Sequence, residues 1–321
     1  MFAVYAQRLD PQDPLSGLVV GQRPDPQVPD GWAAVRVRAA SLNHHDLWSL
    51  QGVGLSADRL PMILGCDAAG IDQDGREVVV HSVISDPDWS GDETQDPRRS
   101  LLSERYQGTL ADVVVAPRRN LVPKPPSMTF EEAACLPTAW LTAYRMLFSQ
   151  SEAAPGSTVL VQGAGGGVST ALISLAHAAG YRVWVTSRDE GKRARALELG
   201  ADAAFESGAR LPERVDTVME SVGEATWAHS LRAVRPGGSI VVSGATSGRH
   251  PSAELNRVFA LQLRIHGSTM GTRSELLRLV SFCEQTGVRP LVDTVLPMEQ
   301  APSGFARMAQ GDLFGKIVLT R

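Results

Sequence analysis

The chain has 321 residues, enough for two domains of ordinary size, and its 43% hydrophobic and 21% charged residues are typical of a globular protein. The formal net charge of −4 comes from interleaved acids and bases, so neither a nucleic-acid-binding arm nor a disordered acidic tail is indicated. No apolar run approaches the ~20 residues that span a bilayer, and the first residues lack a signal-peptide pattern, so we expect a cytoplasmic protein with no membrane partner.

The first part of the chain is rich in short β-branched runs. Residues 33–39 alternate between side chains of different polarity, as in a half-buried strand, and residues 78–80 and 113–115 are valine runs. Between these valine runs, residues 86–107 are polar and rich in Asp, Arg and Ser, which indicates a long excursion rather than a core element. We therefore expect a β-rich domain over residues 1–124.

A proline-rich stretch, residues 123–126, marks a domain boundary, and a predicted helix over residues 127–146 follows it. Beyond that helix, strands alternate with helices at a spacing that predicts a doubly wound parallel sheet in an α/β domain over residues 125–267. Strands are expected at residues 158–162, 182–187, 215–220, 239–243 and 261–266, with helices at 169–179 and 190–199. In the tail, helices are expected at residues 273–285 and 299–310, and a final strand at 316–319.

Glycines directly follow the first strand of this predicted sheet, at Gly163, Gly165, Gly166 and Gly167. A dinucleotide pyrophosphate needs backbone N–H donors at a helix N-terminus and no side chain in the way, and glycines after a buried strand supply both. Ser169 stands where a third fingerprint glycine is expected, but serine is small and is favoured at helix caps. The pattern predicts a dinucleotide site, and the alternative is a purely structural strand-to-helix turn.

The end of the second strand discriminates between the two nicotinamide dinucleotides. An NAD site usually has an acid there for the ribose 2′-hydroxyl, whereas this strand ends in Ser187 and Arg188, with Lys192 one helical turn further on. A hydroxyl and two cations suit a 2′-phosphate, and the acids at Asp189 and Glu190 are expected to be exposed to solvent. We therefore predict NADP(H), and the alternative is that the two cations form an ordinary solvated helix face.

Several stretches share motifs with one known family: residues 41–48, 64–70, 161–179, 197–202 and 315–319. With these motifs the chain resembles the medium-chain dehydrogenase/reductase superfamily, and specifically its zinc-free, quinone-oxidoreductase-like branch. The resemblance implies a GroES-like β-barrel catalytic domain around a Rossmann domain. It also implies that residues 268–321 return to complete the catalytic domain, and that the protein is a homodimer.

Zinc-dependent members of this superfamily use a Cys, a His followed by Glu, and a later Cys or Asp as catalytic ligands. The matching positions here hold Asn43, then Cys66 and Asp67, and later Pro137 and Thr138. Neutral Asn and Thr are poor zinc ligands, so one Cys and one Asp would give fewer ligands than a catalytic zinc ion needs. We therefore predict that the protein has no catalytic zinc.

The remaining cysteines and histidines support the same prediction. The structural-zinc loop of those relatives is cysteine-rich, whereas residues 86–107 contain no cysteine, and the chain has no CxxC pair. The pair His44 and His45 is adjacent in sequence, and adjacent side chains on an extended segment usually point apart. We therefore do not expect this pair to bind a metal.

Without a metal to polarise an alcohol oxygen, hydride delivery to an already electrophilic acceptor is favoured, such as a quinone or an α,β-unsaturated carbonyl compound. The resemblance places Asn43 at the floor of the catalytic cleft, and Asp46 would bind the cofactor ribose or a proton-relay water. The alternative is that both residues stabilise the turn before a helix. The resemblance further implies cofactor contacts from Thr142, Val168, Ser221, Val222, Ser243, Gly244, Ala245, Ser268, Thr269, Met270, Phe314, Gly315 and Lys316.

The sequence thus favours an NADPH-dependent reductase of small quinone or enone substrates, with no nucleic-acid partner. Two other hypotheses stay open. One is a zinc-free alcohol or aldehyde dehydrogenase that works through side-chain acids and bases. The other is an NADPH-binding protein with little catalytic activity, because a fold alone does not establish an activity.

Overall fold

A computed structural model describes the whole chain from Met1 to Arg321. Short 3₁₀ turns connect many of its elements. The strands are β1 (Phe2–Ala6), β2 (Leu18–Gln22), β3 (Trp32–Ser41), β4 (Met62–Ile63), β5 (Asp67–Asp72), β6 (Glu77–Val80), β7 (Val83–Ile84), β8 (Ser100–Leu101), β9 (Val113–Pro117), β10 (Leu121–Pro123), β11 (Thr158–Gln162), β12 (Arg182–Thr186), β13 (Ala203–Phe205), β14 (Val215–Glu220), β15 (Val234–Val242), β16 (Arg264–Gly267), β17 (Val292–Pro297) and β18 (Lys316–Thr320).

The helices are mostly short, and the longest ones lie in the second half of the chain. They are α1 (His44–Leu50), α2 (Phe130–Ala133), α3 (Leu141–Arg145), α4 (Gly167–Ala178), α5 (Glu190–Glu198), α6 (Glu224–Ala233), α7 (Leu255–Ala260), α8 (Arg273–Thr286) and α9 (Ala301–Gln310). No helix combines the length and the apolar character that crossing a membrane requires.

The chain forms two compact units. The first contains Met1–Leu141 together with Met270–Arg321, and the second contains Thr142–Thr269. The sequence placed the first boundary at the proline-rich stretch, but residues 125–141 belong to the first unit. The physical reason is that α2 contacts β3 and β5 of that unit rather than the parallel sheet.

The first unit is built on one large sheet with the order β10-β6-β5-β3-β18-β17, and β9 also pairs with β3. The pairing of β17 with β18 is parallel, and the other pairings are antiparallel. Strand β18 enters from the C-terminal tail, with Leu319 opposite Ala40 of β3. Apolar side chains of both segments, among them Leu50, Met62 and Phe305, are fully buried in one core. The tail therefore completes the sheet that the N-terminal residues begin.

The second unit is a six-stranded parallel sheet with the order β13-β12-β11-β14-β15-β16. This order, in which the first strand lies in the middle, confirms the predicted doubly wound sheet. Every residue of β11 is buried, as expected for a strand covered by helices on both faces. The carboxyl ends of all these strands lie at one edge of the sheet.

The helix predicted over residues 127–146 is interrupted. Thr129 caps α2 by accepting a hydrogen bond from the Glu132 N–H, and a π-helical turn over Leu136–Trp140 then separates α2 from α3. Pro137 lies inside this turn, and its ring removes a backbone donor that a continuous α-helix needs. The predicted excursion over residues 86–107 contains only a 3₁₀ turn and the two residues of β8.

Candidate active site

The glycine turn between β11 and α4 has a backbone conformation that glycine alone adopts without strain. Gly163 has φ +80° and Gly165 has φ +109°, and a Cβ added to Gly163 would lie 3.1 Å from Val222 Cγ2. Gly166 is the N-cap of α4, so the first N–H groups of this helix have no intrahelical partner. The turn therefore offers backbone donors at a helix N-terminus with no side chain over them.

Ser169, at the third fingerprint position, does not cap the helix as the sequence suggested. Its hydroxyl donates a hydrogen bond to the Gly166 carbonyl at 3.0 Å, and the residue is buried. The N-cap itself is Gly166. Serine therefore takes the third glycine's place without leaving a buried polar atom unpaired.

The end of β12 places Ser187, Arg188 and Lys192 close together in the chain, with Ser187 buried and Arg188 exposed. Asp189 caps α5, because its Oδ1 accepts the Lys192 N–H at 2.8 Å. Arg193 Nη1 donates to the Ser187 carbonyl at 2.8 Å, so a further cation is held at the end of this strand. The sequence did not point to Arg193, although it lies one helical turn after Asp189. Cations therefore outnumber acids around Ser187.

A serine followed by small or apolar residues comes after each of the next three strands at the same edge of the sheet, except that Thr269 follows Ser268. Ser221 and Val222 follow β14, Ser243, Gly244 and Ala245 follow β15, and Ser268 and Thr269 follow β16. The hydroxyl oxygens of Ser243 and Ser268 are buried and have no hydrogen-bond partner in the protein. Buried polar atoms are nearly always bonded, so these two hydroxyls fit a polar ligand that lies along this edge. Together with the glycine turn, they fit a dinucleotide.

Buried polar residues at the ends of the strands stabilise these turns through hydrogen bonds. Glu220 is fully buried, and its Oε1 accepts the N–H groups of Val222 at 2.8 Å and Gly223 at 3.0 Å. Gln162 Oε1 accepts the Thr186 hydroxyl at 2.6 Å, which ties the end of β11 to the end of β12. Neither Glu220 nor Gln162 was predicted for the site from the sequence. The available signal was a polar residue closing an otherwise apolar strand.

In the first unit, Asp46 organises the start of α1. Its Oδ2 accepts the backbone N–H of Asn43 at 2.8 Å, and its Oδ1 accepts the N–H of Gly65 at 3.1 Å. Burial raises the pKa of Asp46 to about 6, and the nearby His45 opposes that rise. The carboxylate therefore stabilises the turn before the helix, which is the structural role that the sequence left open beside the catalytic one.

Asn43 and Lys316 belong to one buried network. Lys316 Nζ donates to Asn43 Oδ1 and to the Leu42 carbonyl, both at 2.6 Å, and lies 3.5 Å from Asp67 Oδ2. Asn43 Nδ2 donates to Asp67 Oδ2 at 2.8 Å, and the Ser41 hydroxyl donates to the same oxygen at 2.6 Å. The second oxygen of Asp67 is buried with no partner. The sequence assigned Asn43 and Lys316 to different tasks, whereas the structure joins them through hydrogen bonds.

The other residues proposed for the cofactor are divided between the two units. Thr142 is buried at the start of the second unit, and Thr269 is its exposed last residue. Met270 begins the return segment with φ +50°, a rare conformation for a non-glycine residue. Phe314 is buried and its N–H donates to Asp293 Oδ1, and Gly315 has φ +121° directly before Lys316.

A cluster that the sequence did not predict surrounds His45. Its Nε2 lies 3.1 Å from Glu104 Oε1 and its Nδ1 lies 3.3 Å from Cys66 Sγ. Its neighbour His44 is exposed, with its ring 6.4 Å from that of Trp48. The two histidines therefore point to different surroundings, and His45 meets Cys66 through the fold rather than through sequence spacing.

The donor groups of this cluster are already engaged in hydrogen bonds within the protein. Potential ligand atoms of His45, Asp46 and Cys66 lie within 4.8 Å of one another. Both oxygens of Asp46 already accept backbone N–H groups, and the Cys66 thiol donates to the Leu102 carbonyl, so zinc binding by these residues would require the thiol to lose its proton and this hydrogen bond. Asn43 stands where zinc-dependent relatives have a ligand, and its side-chain oxygen accepts a hydrogen bond from the Lys316 ammonium.

Two family models match the chain. The model described as an alcohol dehydrogenase GroES-like domain matches residues 29–126. The model described as a zinc-binding dehydrogenase matches residues 167–285. The first match falls in the first unit, and the second begins at α4, directly after the glycine turn.

Similar proteins span nearly the whole chain. A zinc-type alcohol dehydrogenase-like protein of Schizosaccharomyces pombe is 31% identical over 317 residues, covering 90% of this chain and 90% of that protein. An acryloyl-coenzyme A reductase of Metallosphaera sedula is 27% identical over 325 residues, covering 95% of this chain and 96% of the reductase. A solved structure of an NAD-dependent alcohol dehydrogenase has a TM-score of 0.92 and 35% identity, and the match covers 100% of both chains.

Proposed function

The chain belongs to the medium-chain dehydrogenase/reductase superfamily of oxidoreductases, and on that basis we propose that it is an NADPH-dependent reductase that works without zinc. The superfamily and the fold class predicted from the sequence, a Rossmann domain with a GroES-like domain, are both confirmed. The proposed acceptor is an α,β-unsaturated carbonyl compound or a quinone. The observation that carries the proposal is the glycine turn with its neighbouring cations and unpartnered hydroxyls.

Support for NADP(H) comes from the charges around Ser187. When bound, this cofactor supplies hydride from its nicotinamide ring. Arg188 and Lys192 follow Ser187, and the nearby acid Asp189 is occupied as the N-cap of α5. Cations and a hydroxyl suit a 2′-phosphate, and a free carboxylate there would repel it. Backbone donors of Gly165, Gly166 and Gly167, with Val168, would hold the pyrophosphate.

Support for an electrophilic acceptor comes from the first unit. The side chains of Asn43, Asp46 and Cys66 are engaged in hydrogen bonds within the protein, and Asn43, where zinc-dependent relatives have a ligand, is a poor zinc ligand. Without zinc the protein would lack the Lewis acid that activates an alcohol oxygen. The relative named acryloyl-coenzyme A reductase matches nearly the full length of the chain. Its name describes the reduction of a carbon–carbon double bond next to a carbonyl. We therefore place enones ahead of quinones as the acceptor class.

A second candidate is an alcohol dehydrogenase that uses NAD. The observation that favours it is the 35% identity to the solved NAD-dependent alcohol dehydrogenase. In this case the exposed Arg188 would be an ordinary surface cation, and the chemistry would depend on side-chain acids and bases. The two candidates differ in both cofactor and substrate, so one set of assays separates them.

The test is a set of steady-state assays on protein whose metal content is measured after dialysis against a chelator. The proposal expects NADPH oxidation with enones, weaker or no oxidation with NADH, and no loss of rate after dialysis. Turnover of alcohols with NAD would replace the proposal by the second candidate. Stoichiometric zinc that is needed for turnover would contradict the zinc-independent reaction. Tight NADPH binding without turnover would indicate an NADPH-binding protein with little catalytic activity.

We also propose that the protein is a homodimer joined at the free edge of β16. This strand ends the parallel sheet, and one side of it has no partner strand. Three apolar side chains of α7 and β16 are unusually exposed: Leu255 by 69%, Phe259 by 70% and Ile265 by 43%. Sedimentation velocity is expected to show a dimer that Ile265→Lys dissociates and that Val295→Lys, a control at an equally exposed valine of the first unit, leaves intact.

A further inference from the structure

Glu220 is the one acid among the buried residues of the second unit, and its hydrogen bonds all come from neutral groups. Its Oε1 accepts the N–H groups of Val222 at 2.8 Å and Gly223 at 3.0 Å, and its Oε2 accepts the Ser230 hydroxyl at 2.7 Å. The Thr226 hydroxyl lies 2.9 Å from both oxygens. Four donors therefore surround the carboxyl group, and the ionised form is the one that accepts all four.

Because an ionised carboxylate has no proton to give, Glu220 fixes the direction of a chain of buried hydrogen bonds. Ser230 donates to Glu220, so its oxygen accepts from Gln162 Nε2 at 3.0 Å. The oxygen of the same amide accepts the Thr186 hydroxyl at 2.6 Å. The Thr186 oxygen in turn accepts a longer hydrogen bond from the N–H of Gly163, at 3.5 Å. The chain therefore runs in one direction, from the first glycine of the turn to Glu220.

A histidine beside the chain is consistent with this direction. The amide nitrogen of Gln162 also lies 2.9 Å from His229 Nδ1, and His229 Nε2 lies 2.9 Å from the Ala209 carbonyl. Burial lowers the pKa of His229, which favours the neutral ring. A neutral ring accepts from the amide at Nδ1 and donates to the carbonyl at Nε2, so the oxygen of Gln162 is left to accept from Thr186.

Glu220 reaches the same glycine by a second route. Its Oε1 binds two consecutive N–H groups, those of Val222 and Gly223, and so fixes the turn after β14. In this turn Val222 packs over Gly163, because a Cβ added to the glycine would lie 3.1 Å from Val222 Cγ2. The Val222 carbonyl also accepts the N–H of Ser247 at 2.7 Å, which ties the segment after β15 to the same turn. The chain thus contacts Gly163 at its N–H, and Val222 covers the place of its missing side chain.

We propose that Glu220 is a positioning residue for the dinucleotide, because its charge holds Gly163 both through the hydrogen-bond chain and through Val222; this inference rests on the proposed function. Gly163 opens the turn whose backbone N–H groups would hold the pyrophosphate. Binding is tighter when such donors are already in place, since less ordering has to occur on binding. Glu220 is fully buried, so it acts through Gly163 rather than by touching the cofactor. Its effect therefore falls on the pyrophosphate, which NADPH and NADH share, and not on the 2′-phosphate.

The experiment compares two buried threonines by fluorescence titration with NADPH and with NADH. Thr186→Val removes the hydroxyl of the chain, and we expect the Kd of both dinucleotides to rise by about tenfold, the equivalent of one hydrogen bond. Thr217→Val is the matched control, since Thr217 is a fully buried strand residue whose hydroxyl lies 2.8 Å from that of Ser239, outside the chain. Its Kd values are expected to be unchanged, while urea denaturation shows a similar loss of stability in both variants.

A double-mutant cycle tests the link to Glu220. Glu220→Gln keeps the size of the side chain but places an amide donor where the hydroxyl of Ser230 now donates, and it is expected to raise both Kd values by roughly tenfold or more. The double variant with Thr186→Val is expected to bind no more weakly than Glu220→Gln alone, because the effects of residues in one hydrogen-bond network are not additive.

The outcomes separate the inference from the function on which it rests. A wild-type protein that binds neither NADPH nor NADH removes both. Wild-type binding with unchanged Kd values in Thr186→Val, or equal weakening in Thr186→Val and Thr217→Val, overturns the inference alone. A loss confined to NADPH would assign the effect to the 2′-phosphate and overturn it as well. Losses that multiply in the double variant would show that Thr186 and Glu220 act separately, which also overturns it. Thr186→Val and its control decide the test even if Glu220→Gln fails to fold.

Discussion

Lys316 Nζ donates a 2.6 Å hydrogen bond to Asn43 Oδ1, joining residues 273 positions apart in the chain. The same ammonium lies 3.5 Å from Asp67 Oδ2, and all three side chains are buried. The contact exists because β18, which begins at Lys316, pairs with β3, which ends two residues before Asn43. A cation from the tail therefore neutralises a carboxylate from the N-terminal segment inside the first unit.

Removal of the Lys316 charge is expected to destabilise the protein strongly. Lys316→Met leaves the buried carboxylate of Asp67 without its cation, and breaking a buried ion pair in this way costs about 3–5 kcal/mol of unfolding free energy. Urea denaturation measures this change. The matched control is Arg264→Gln, which removes an exposed ion pair with Glu152 and should cost less than about 1 kcal/mol. Equal losses in the two variants would contradict the buried network, and the double variant Lys316→Met with Asp67→Leu should recover much of the stability.

Gly163→Ala is expected to abolish tight NADPH binding. The substitution strains a residue with φ +80°, at a cost of roughly 1–2 kcal/mol, and places a methyl 3.1 Å from Val222 Cγ2. Gly208→Ala is the control, since Gly208 has φ +81° and open space where its Cβ would lie. Fluorescence titration should show weaker NADPH binding only for Gly163→Ala, while urea denaturation shows a similar loss in both. Unchanged affinity in Gly163→Ala would argue that the turn is purely structural.

Arg188→Ala is expected to weaken NADPH binding by about tenfold to 100-fold while leaving NADH binding unchanged. The reason is that a hydrogen bond to a charged group contributes about 1.5–3 kcal/mol, and only NADPH carries the 2′-phosphate. Arg232→Ala removes an exposed cation from α6 of the same unit and is the control for net charge. Titration of NADPH and of NADH against each variant measures the two affinities. Tighter NADH than NADPH binding by the unaltered protein would overturn the NADP assignment.

His81 is expected to make the protein less stable in acid. Burial lowers its pKa from 6.5 to about 4, and its Nε2 lies 2.9 Å from the Gly271 carbonyl. Because the folded pKa is the lower one, the stability is fully present above pH 6.5 and is lost as the pH falls toward 4. Between pH 7.5 and pH 5 this single group should account for roughly 2 kcal/mol of unfolding free energy.

The check compares urea denaturation at those two pH values in His81→Gln and in the unaltered protein. His81→Gln keeps a donor for the Gly271 carbonyl but does not titrate, so its stability should depend less on pH. His177→Gln, at an exposed histidine, should retain the full dependence. An identical pH dependence in all three proteins would show that His81 does not contribute.

Local sequence patterns were enough to predict the parallel sheet and the glycine turn after its first strand. Both are local: the apolar residues of β11 are contiguous, and the glycines follow directly after them. The helix over residues 127–146 was predicted from the same kind of signal, and it failed because Pro137 removes a backbone donor in its middle. Likewise, residues 125–141 joined the first unit through packing that no local pattern encodes.

The contacts of the polar residues in the first unit could not be read from local patterns. The sequence presented Asn43 and Asp46 as catalytic candidates and did not predict that the pair of histidines binds a metal. The fold brings Lys316 to Asn43 and uses the Asp46 carboxylate for backbone N–H groups. It also brings Glu104 and Cys66 to His45 from 59 and 21 positions away. Such contacts depend on which strands pair, and strand pairing brings together residues whose separation in sequence carries no periodic signal.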